Sequence, residues 1–309
     1  MKVLAPAKIN LFLEVTGLRS DRYHEIETLF QTISLYDTID LSLAAKGAPR
    51  IRFEVRGDAA LRKLCPADAS NIVWKAADLF LKKFEINAPV RIALEKNIPI
   101  QAGLGGGSSD AAATLNGLAR LFGLRKKKGF ERDLRAIAKA CGADVPFLLQ
   151  GGCALATGIG DRIRPLPRSP RFWAVVVKPP VGCPTKDVYG WLDDARGWGQ
   201  RGGRGIKFPV DSGLTRRPKI HTITRLIREG KPAGEWGKHL YNAFEAAVFQ
   251  KHPRLEEIKR FLLAAGAQVA SLSGSGSAIY GLVSSKKAGE KIRGALKLSS
   301  GKAWVVHSV

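Results

Sequence analysis

Residues 7–15 alternate apolar and polar: Ala7, Ile9, Leu11, Leu13 and Val15 on one side, Lys8, Asn10, Phe12 and Glu14 on the other. That period of two predicts a strand that projects Lys8 and Asn10 side by side from a rigid support. Residues 38–43 and 50–56 flank Lys46-Gly47-Ala48-Pro49 and predict a hairpin. Ser70-Asn71 is a helix start signal for a segment running to about Phe84, and Val90, Ile92 and Leu94 mark a further strand. Helices are expected over 109–122 and 131–140, the second stopping at Gly142.

A second series begins with the unbroken apolar run 172–177, which predicts a fully buried strand. Helices are expected near 219–229, 236–250 and 254–265. Strands are expected at 268–272, 278–283 and 302–307, with a helix at 285–297 between the last two. The Gly-, Asp- and Pro-containing stretch 158–170 is the expected boundary, giving domains 1–165 and 166–309. Both halves read as α+β, with helices on a largely antiparallel sheet.

Composition changes this picture in two places. The net charge is +23, which attracts nucleotides, diphosphates and nucleic acids alike. The segment 196–219 is unusually basic: Arg196, Arg201, Arg204, Lys207, Arg216, Arg217 and Lys219 stand against one acid, Asp211, among six glycines. Such a segment cannot build a core and is expected to be a loop. The four cysteines are too scattered for a metal or disulfide framework, and no apolar run approaches the ~18 residues of a membrane span. The N-terminal residues do not read as a signal peptide, so a cytoplasmic location is expected.

The chemistry concentrates in Pro99-Ile100-Gln101-Ala102-Gly103-Leu104-Gly105-Gly106-Gly107-Ser108-Ser109, which opens into the helix former Asp110-Ala111-Ala112-Ala113. A glycine-rich loop at a helix start offers unpaired amides and the positive end of the helix dipole to a phosphate. Ser108 and Ser109 add hydroxyls that could bond phosphate or cap the helix. The loop lacks the Gly-Lys-Ser/Thr of a Walker loop and the setting of a dinucleotide fingerprint. A second glycine-rich turn, Ser273-Gly274-Ser275-Gly276-Ser277, is either a hairpin turn or a second set of donors. Asp144, in Gly142-Ala143-Asp144-Val145-Pro146, is either a helix cap or a base.

Pro6-Ala7-Lys8-Ile9-Asn10-Leu11, the 102–112 loop and Ser273-Gly274-Ser275-Gly276 resemble, in order, the three motifs of the GHMP small-molecule kinases. Arg22-Tyr23-His24-Glu25 and Gly142-Ala143-Asp144-Val145-Pro146 narrow the resemblance to members acting on a cytidine-diphosphate sugar alcohol of isoprenoid precursor synthesis. The resemblance implies an N-terminal ribosomal-protein-like α+β domain, a C-terminal ferredoxin-like domain and an active site between them. It also implies ATP with Mg²⁺ as cofactor and phosphorylation of a tertiary hydroxyl. Asp144 matches the base, and Lys8 the partner that favours developing negative charge. ATP is expected on residues 99–109, with Asn71 near the adenine. Tyr23 and Tyr189 match the aromatic residues that sandwich cytosine, and His24 the reader of its edge. Asn10, Thr185, Ser273, Gly274 and Ser275 complete the expected substrate contacts. No metal ligands are assigned, Ser109 and Asp110 being candidates only.

Two rivals remain from the sequence. One is another GHMP kinase, for mevalonate, homoserine or a sugar. The other is a basic nucleic-acid-binding protein, although weak, salt-sensitive polyanion binding could also accompany kinase activity. Monomer and homodimer both stay open.

Overall fold

The computed structural model describes residues 1–198, 220–297 and 301–309. Most of the basic 196–219 segment therefore lies outside the described residues. The chain begins with β1 (Lys2–Leu18), β2 (His24–Leu43), β3 (Ile51–Gly57), α1 (Ala59–Lys63), α2 (Ile72–Lys83) and β4 (Val90–Lys96). There follow α3 (Gly106–Leu121), α4 (Phe130–Cys141), α5 (Val145–Leu148), β5 (Cys153–Thr157), β6 (Arg162–Pro165) and β7 (Trp173–Lys178). The remainder comprises α6 (Thr185–Arg196), α7 (Ile220–Arg228), α8 (Ala233–Trp236), β8 (Tyr241–Asn242), α9 (Glu245–Lys251) and α10 (Pro253–Ala264). Last come β9 (Val269–Leu272), β10 (Ile279–Val283), α11 (Lys286–Ala295) and β11 (Lys302–His307).

The chain packs as two compact units that interleave in sequence. One comprises Met1–Lys8, Ser34–Ile100 and Gly105–Gly151; the other comprises Ile9–Ile33, Gln101–Leu104 and Gly152–Val309. The 158–170 stretch, expected as a single boundary, instead contributes the β5–β6 turn and strand β6 to the second unit.

In the first unit β4 is the central strand. It pairs antiparallel with the end of β2, from Thr38↔Glu95 to Leu43↔Val90, and parallel with β3, from Ile51↔Val90 to Gly57↔Lys96. The hairpin expected over 38–56 is therefore absent: β4 lies between its two strands. Alternation identified both strands but carries no information about which neighbour each one takes. Helix α2 packs on α3 and α4, burying Val73, Ala77, Phe80 and Leu81 on its inner stripe. Phe80, Phe84 and Phe130 form an aromatic cluster there, with centroids 4.8–6.5 Å apart.

In the second unit the sheet order is β11-β7-β10-β9, with all neighbours antiparallel. Numbering these strands by sequence gives 4-1-3-2, and α10 and α11 pack on them, which is the βαββαβ ferredoxin-like arrangement. The run 172–177 forms the buried β7, and its Ala174, Val175, Val176 and Val177 are fully buried. The helix expected over 236–250 is divided: α8, a short 3₁₀ turn, β8 and α9 replace it. Tertiary pairing decides this, since Phe12↔Tyr241 and Leu13↔Asn242 align β8 parallel to β1.

The expected strand at 7–15 extends over all of β1, and its supposedly polar side is also buried: Lys8, Asn10 and Phe12 are each at most 5% exposed. A strand covered on both faces must satisfy each polar side chain inside the protein. Among the described residues no helix is long and apolar enough to cross a membrane.

Candidate active site

Helix α3 begins three residues earlier than the expected 109, at Gly106, so Gly106, Gly107 and Ser108 form its first turn. Ser109 N–H makes the first helical bond, to Gly105 O at 2.9 Å. Helix geometry leaves the amides of Gly106, Gly107 and Ser108 without intrahelical partners. Gly105 is the N-cap with φ +67°, and no side chain caps the helix. A Cβ at Gly105 would sit 2.8 Å from Lys8 Cγ and 3.1 Å from Lys8 Cε. The Lys8 stem therefore lies directly against the start of the helix. Its ammonium is 3.6 Å from Asp144 Oδ2, with Lys8 nearly buried and Asp144 about a third exposed at 29%.

Asp144 occupies the N-cap position of α5, yet its carboxylate makes no capping bond. The base alternative thus keeps a carboxylate that faces the ammonium and retains access to solvent. Lys8, Asp144 and the free amides of α3 all belong to the first unit.

Beneath the same helix start lies a buried ionic group. Lys96 Nζ donates to Asp110 Oδ2 at 2.8 Å and to Asp37, and a Cβ on Gly106 would come within 2.9 Å of that nitrogen. Asp37 also accepts from the Ile98 amide at 2.7 Å. Burial works against the Lys96 charge, but Asp110 and Asp37 hold its pKa above the ordinary value. Burial drives the Asp110 carboxyl well above its ordinary value, against the pull of Lys96. Its Oδ1 is buried with no hydrogen-bond partner among the described residues. Spacing could not reveal this group, because Asp37 and Lys96 are brought together only by the β2–β4 pairing.

Several expected contacts take other roles. Ser109 neither caps α3 nor faces outward; its hydroxyl donates to Pro6 O at 2.7 Å and is buried. With Asp110 held by Lys96, neither candidate Mg²⁺ ligand fits that part. Among the described residues no group of three or more His, Cys, Asp or Glu side chains could hold a metal. Asn71 caps α2, its oxygen accepting from Val73 N at 2.9 Å and its amide donating to Pro66 O at 2.7 Å. Its side chain is thus bonded within the chain at the start of α2. Ala102 and Leu104 point their side chains inward and leave only backbone for a ligand.

The second unit holds the remaining expected residues. Residues 273–278 form the hairpin turn between β9 and β10. Ser273 is buried and donates its hydroxyl to Gly103 O at 3.0 Å, while Asn242 Nδ2 holds Leu272 O and Gly274 O at 2.8 Å each. Ser273 thus anchors the 101–104 segment through Gly103 O. Ser275 pairs its hydroxyl with that of Thr185 at 3.1 Å, and Thr185 is exposed. Asn10 is buried, donating to Thr28 Oγ1 at 2.7 Å.

Tyr23 is 61% exposed. His24 stacks on Tyr189, with centroids 4.4 Å apart and 26° between planes, and its Nε2 lies 2.7 Å from Asp193 Oδ1. Trp198 also stacks near His24, at 5.9 Å, with the Arg196 guanidinium 4.9 Å over the indole. Asp193 was not anticipated. The signal was present, because Thr185, Tyr189 and Asp193 recur every four residues along one face of α6.

Comparisons with known proteins identify the family. The GHMP kinases N-terminal domain matches residues 71–152, and the GHMP kinases C-terminal domain matches 225–302. A 4-diphosphocytidyl-2-C-methyl-D-erythritol kinase of Heliobacterium modesticaldum is 38% identical over 304 residues, covering 96% of this chain and 90% of that protein. A solved 4-(cytidine 5'-diphospho)-2C-methyl-D-erythritol kinase is 33% identical, with TM-score 0.74 over 100% of this chain and 99% of that one. A homoserine kinase from Cytophaga hutchinsonii, 22% identical with TM-score 0.73 over 100% and 94%, shares the fold. On this sequence similarity along nearly its whole length, the chain belongs to the 4-diphosphocytidyl-2-C-methyl-D-erythritol kinase family of the GHMP kinases.

Proposed function

We propose that this chain uses ATP to phosphorylate the 2-hydroxyl of 4-diphosphocytidyl-2-C-methyl-D-erythritol, a step of the methylerythritol phosphate route to isoprenoid precursors. The observation that carries the chemistry is the Lys8 stem packed on Gly105 with its ammonium 3.6 Å from Asp144. It groups a carboxylate, an ammonium and the open amides of a helix start within one unit.

The substrate's hydroxyl oxygen attacks the γ-phosphorus as the bond to the β,γ-bridging oxygen breaks, and the hydroxyl proton passes to Asp144. A tertiary alcohol is crowded and weakly nucleophilic, so a base positioned on the hydroxyl and in-line placement supply most of the help a protein can give. Lys8 favours the charge that develops on the alkoxide and transferring phosphoryl oxygens. The amides of Gly106, Gly107 and Ser108 hold nucleotide phosphates at the positive end of α3. The nucleotide's magnesium is assigned no protein ligand. The exposed Tyr23 and the Tyr189–His24 pair supply stacking surface and hydrogen bonding for cytosine, and the Thr185–Ser275 hydroxyls and Asn10 are placed on the sugar alcohol and its diphosphate. The proposed setting is the cytoplasm.

A coupled ADP-release assay tests the reading. The cytidylylated sugar alcohol should be turned over in preference to mevalonate and homoserine. Preferential turnover of either of the latter sinks the substrate assignment while leaving the kinase chemistry standing.

A further inference from the structure

The His24–Asp193 pair is closer and better shielded than a surface contact needs to be. The Nε2···Oδ1 distance is 2.7 Å, with the imidazole 8% and the carboxyl 22% exposed. A carboxylate only accepts hydrogen bonds, so the proton between them belongs to His24 Nε2. In the neutral ring the other nitrogen, Nδ1, is then an acceptor. Among the described residues Nδ1 has no hydrogen-bond partner, and it is not among the buried unpaired atoms. It therefore keeps contact with solvent.

The ring's orientation is fixed as well as its tautomer. Tyr189 stacks on the imidazole at 4.4 Å and is itself braced edge-on by Phe244 at 4.9 Å. Tyr189 and Asp193 sit one turn apart on α6, so one helix both covers the face of His24 and holds its Nε2. A planar base bonded edge-on to Nδ1 lies close to the imidazole plane, and that plane is within 26° of the Tyr189 ring.

We infer that Asp193 is a positioning residue that sets the His24 tautomer and thereby selects cytosine over uracil. The inference rests on the proposed function, since it takes the nucleobase of the substrate from there. An acceptor at Nδ1 matches the 4-amino group of cytosine, which donates. Uracil carries a carbonyl oxygen at that position, so two acceptors would face each other across the contact. A site built around a hydrogen bond rejects an analogue that cannot complete it far more strongly than an apolar pocket can.

The test uses the full chain and reads binding separately from turnover. Calorimetric titration with CDP and UDP measures base discrimination with no phosphoryl transfer. The wild-type chain should bind CDP at least about tenfold more tightly than UDP, and Asp193→Asn should bring the two to within about threefold, because an amide can donate to Nε2 as readily as accept from it. ATP affinity, measured on the same preparations, reports that the variant is folded. ¹⁵N-histidine spectra, with the His24 signal identified by its loss in His24→Gln, should show the Nε2–H tautomer in the wild type and a mixture in Asp193→Asn. Unchanged discrimination in a variant that still binds ATP overturns the inference, as does a wild-type Nδ1–H tautomer or equal binding of CDP and UDP. If Asp193-dependent discrimination is found but the cytidylylated alcohol is not phosphorylated, the inference holds and the proposed function fails.

Discussion

Two glycine-rich stretches, 103–107 and 273–277, look alike in sequence and do different work in the structure. The first runs into helix α3, whose opening amides have no partner inside the helix. The second joins β9 to β10, and a hairpin turn closes on itself: Ser273 N–H bonds Ala278 O and Gly276 N–H bonds Ser273 O. Its serines are inward, with Ser273 and Ser277 fully buried and their hydroxyls on Gly103 O and Val181 O. Glycine content permits a tight path in both places. The helix start leaves the consecutive amides of Gly106, Gly107 and Ser108 without intrahelical partners, whereas the turn uses the amides of Ser273 and Gly276 and the hydroxyls of its serines within the fold.

The sharpest way to break this comparison is to remove the groups that stand beside the helix start. Asp144→Asn and Lys8→Ala should each lower kcat by at least ~10²-fold in folded protein, measured by coupled ADP release. Near-normal turnover in both would mean that the ion pair beside Gly105 is a structural contact only.

Next come the two left-handed glycines, which should respond differently. Gly103→Ala directs a methyl group into the backbone carbonyl of Ser273 at φ +72°, where neither backbone can yield without loosening the turn. It should lower stability by roughly 3 kcal/mol or more, read by denaturant titration. Gly105→Ala at φ +67° meets the flexible Lys8 stem, so its cost of about 1–2 kcal/mol should come with a larger loss of turnover than of stability. Equal effects on stability and activity at both positions would erase the distinction.

Asn242→Ala removes the amide that holds Leu272 O and Gly274 O and the oxygen that accepts from Phe244 N at 2.9 Å. Leaving those buried groups unpaired should cost about 2–4 kcal/mol, with the KM for ATP within about twofold of wild type in the folded fraction. A selective rise in that KM would instead give the 273–277 turn a direct part in nucleotide binding.

The smallest effect is expected at Asp110. Its folded-state pKa is held well above the ordinary 3.8 by burial. The unfolded chain loses that proton first, so this group's contribution to stability is fully present below 3.8 and declines as pH rises through the folded value. Asp110→Asn should flatten that part of the stability–pH curve, followed by thermal unfolding across the acid range. An unaltered slope would mean that the carboxyl beside Lys96 stays charged in the fold.

Much of the site was legible in the chain, and the reason is local. Gly103, Gly105 and the alanine run after them announce a loop that becomes a helix, because backbone freedom and helix propensity act over a few neighbouring residues. The strand carrying Lys8 and Asn10 is legible from its alternation for the same reason. The hydroxyl chemistry of Ser109 and the resemblance at Asn71 and Ser273 point to ligand contacts, and in the fold each of these side chains bonds the protein's own backbone. Side-chain type states what a group can bond, whereas only packing states what stands next to it.

The sequence by itself determined the family, the α+β class, most helices and strands, and the pairing of a phosphate-type loop with Lys8 and Asp144. All of these depend on short-range periodicity, turn chemistry or ordered motifs. Tertiary structure alone decided that β4 separates β2 from β3, that 236–250 divides around β8, that Lys96 lies between Asp37 and Asp110, and that Asp193 meets His24. Each of these joins residues far apart in the chain. Their proximity follows from which surfaces exclude water together, a property of the folded whole that no local pattern encodes.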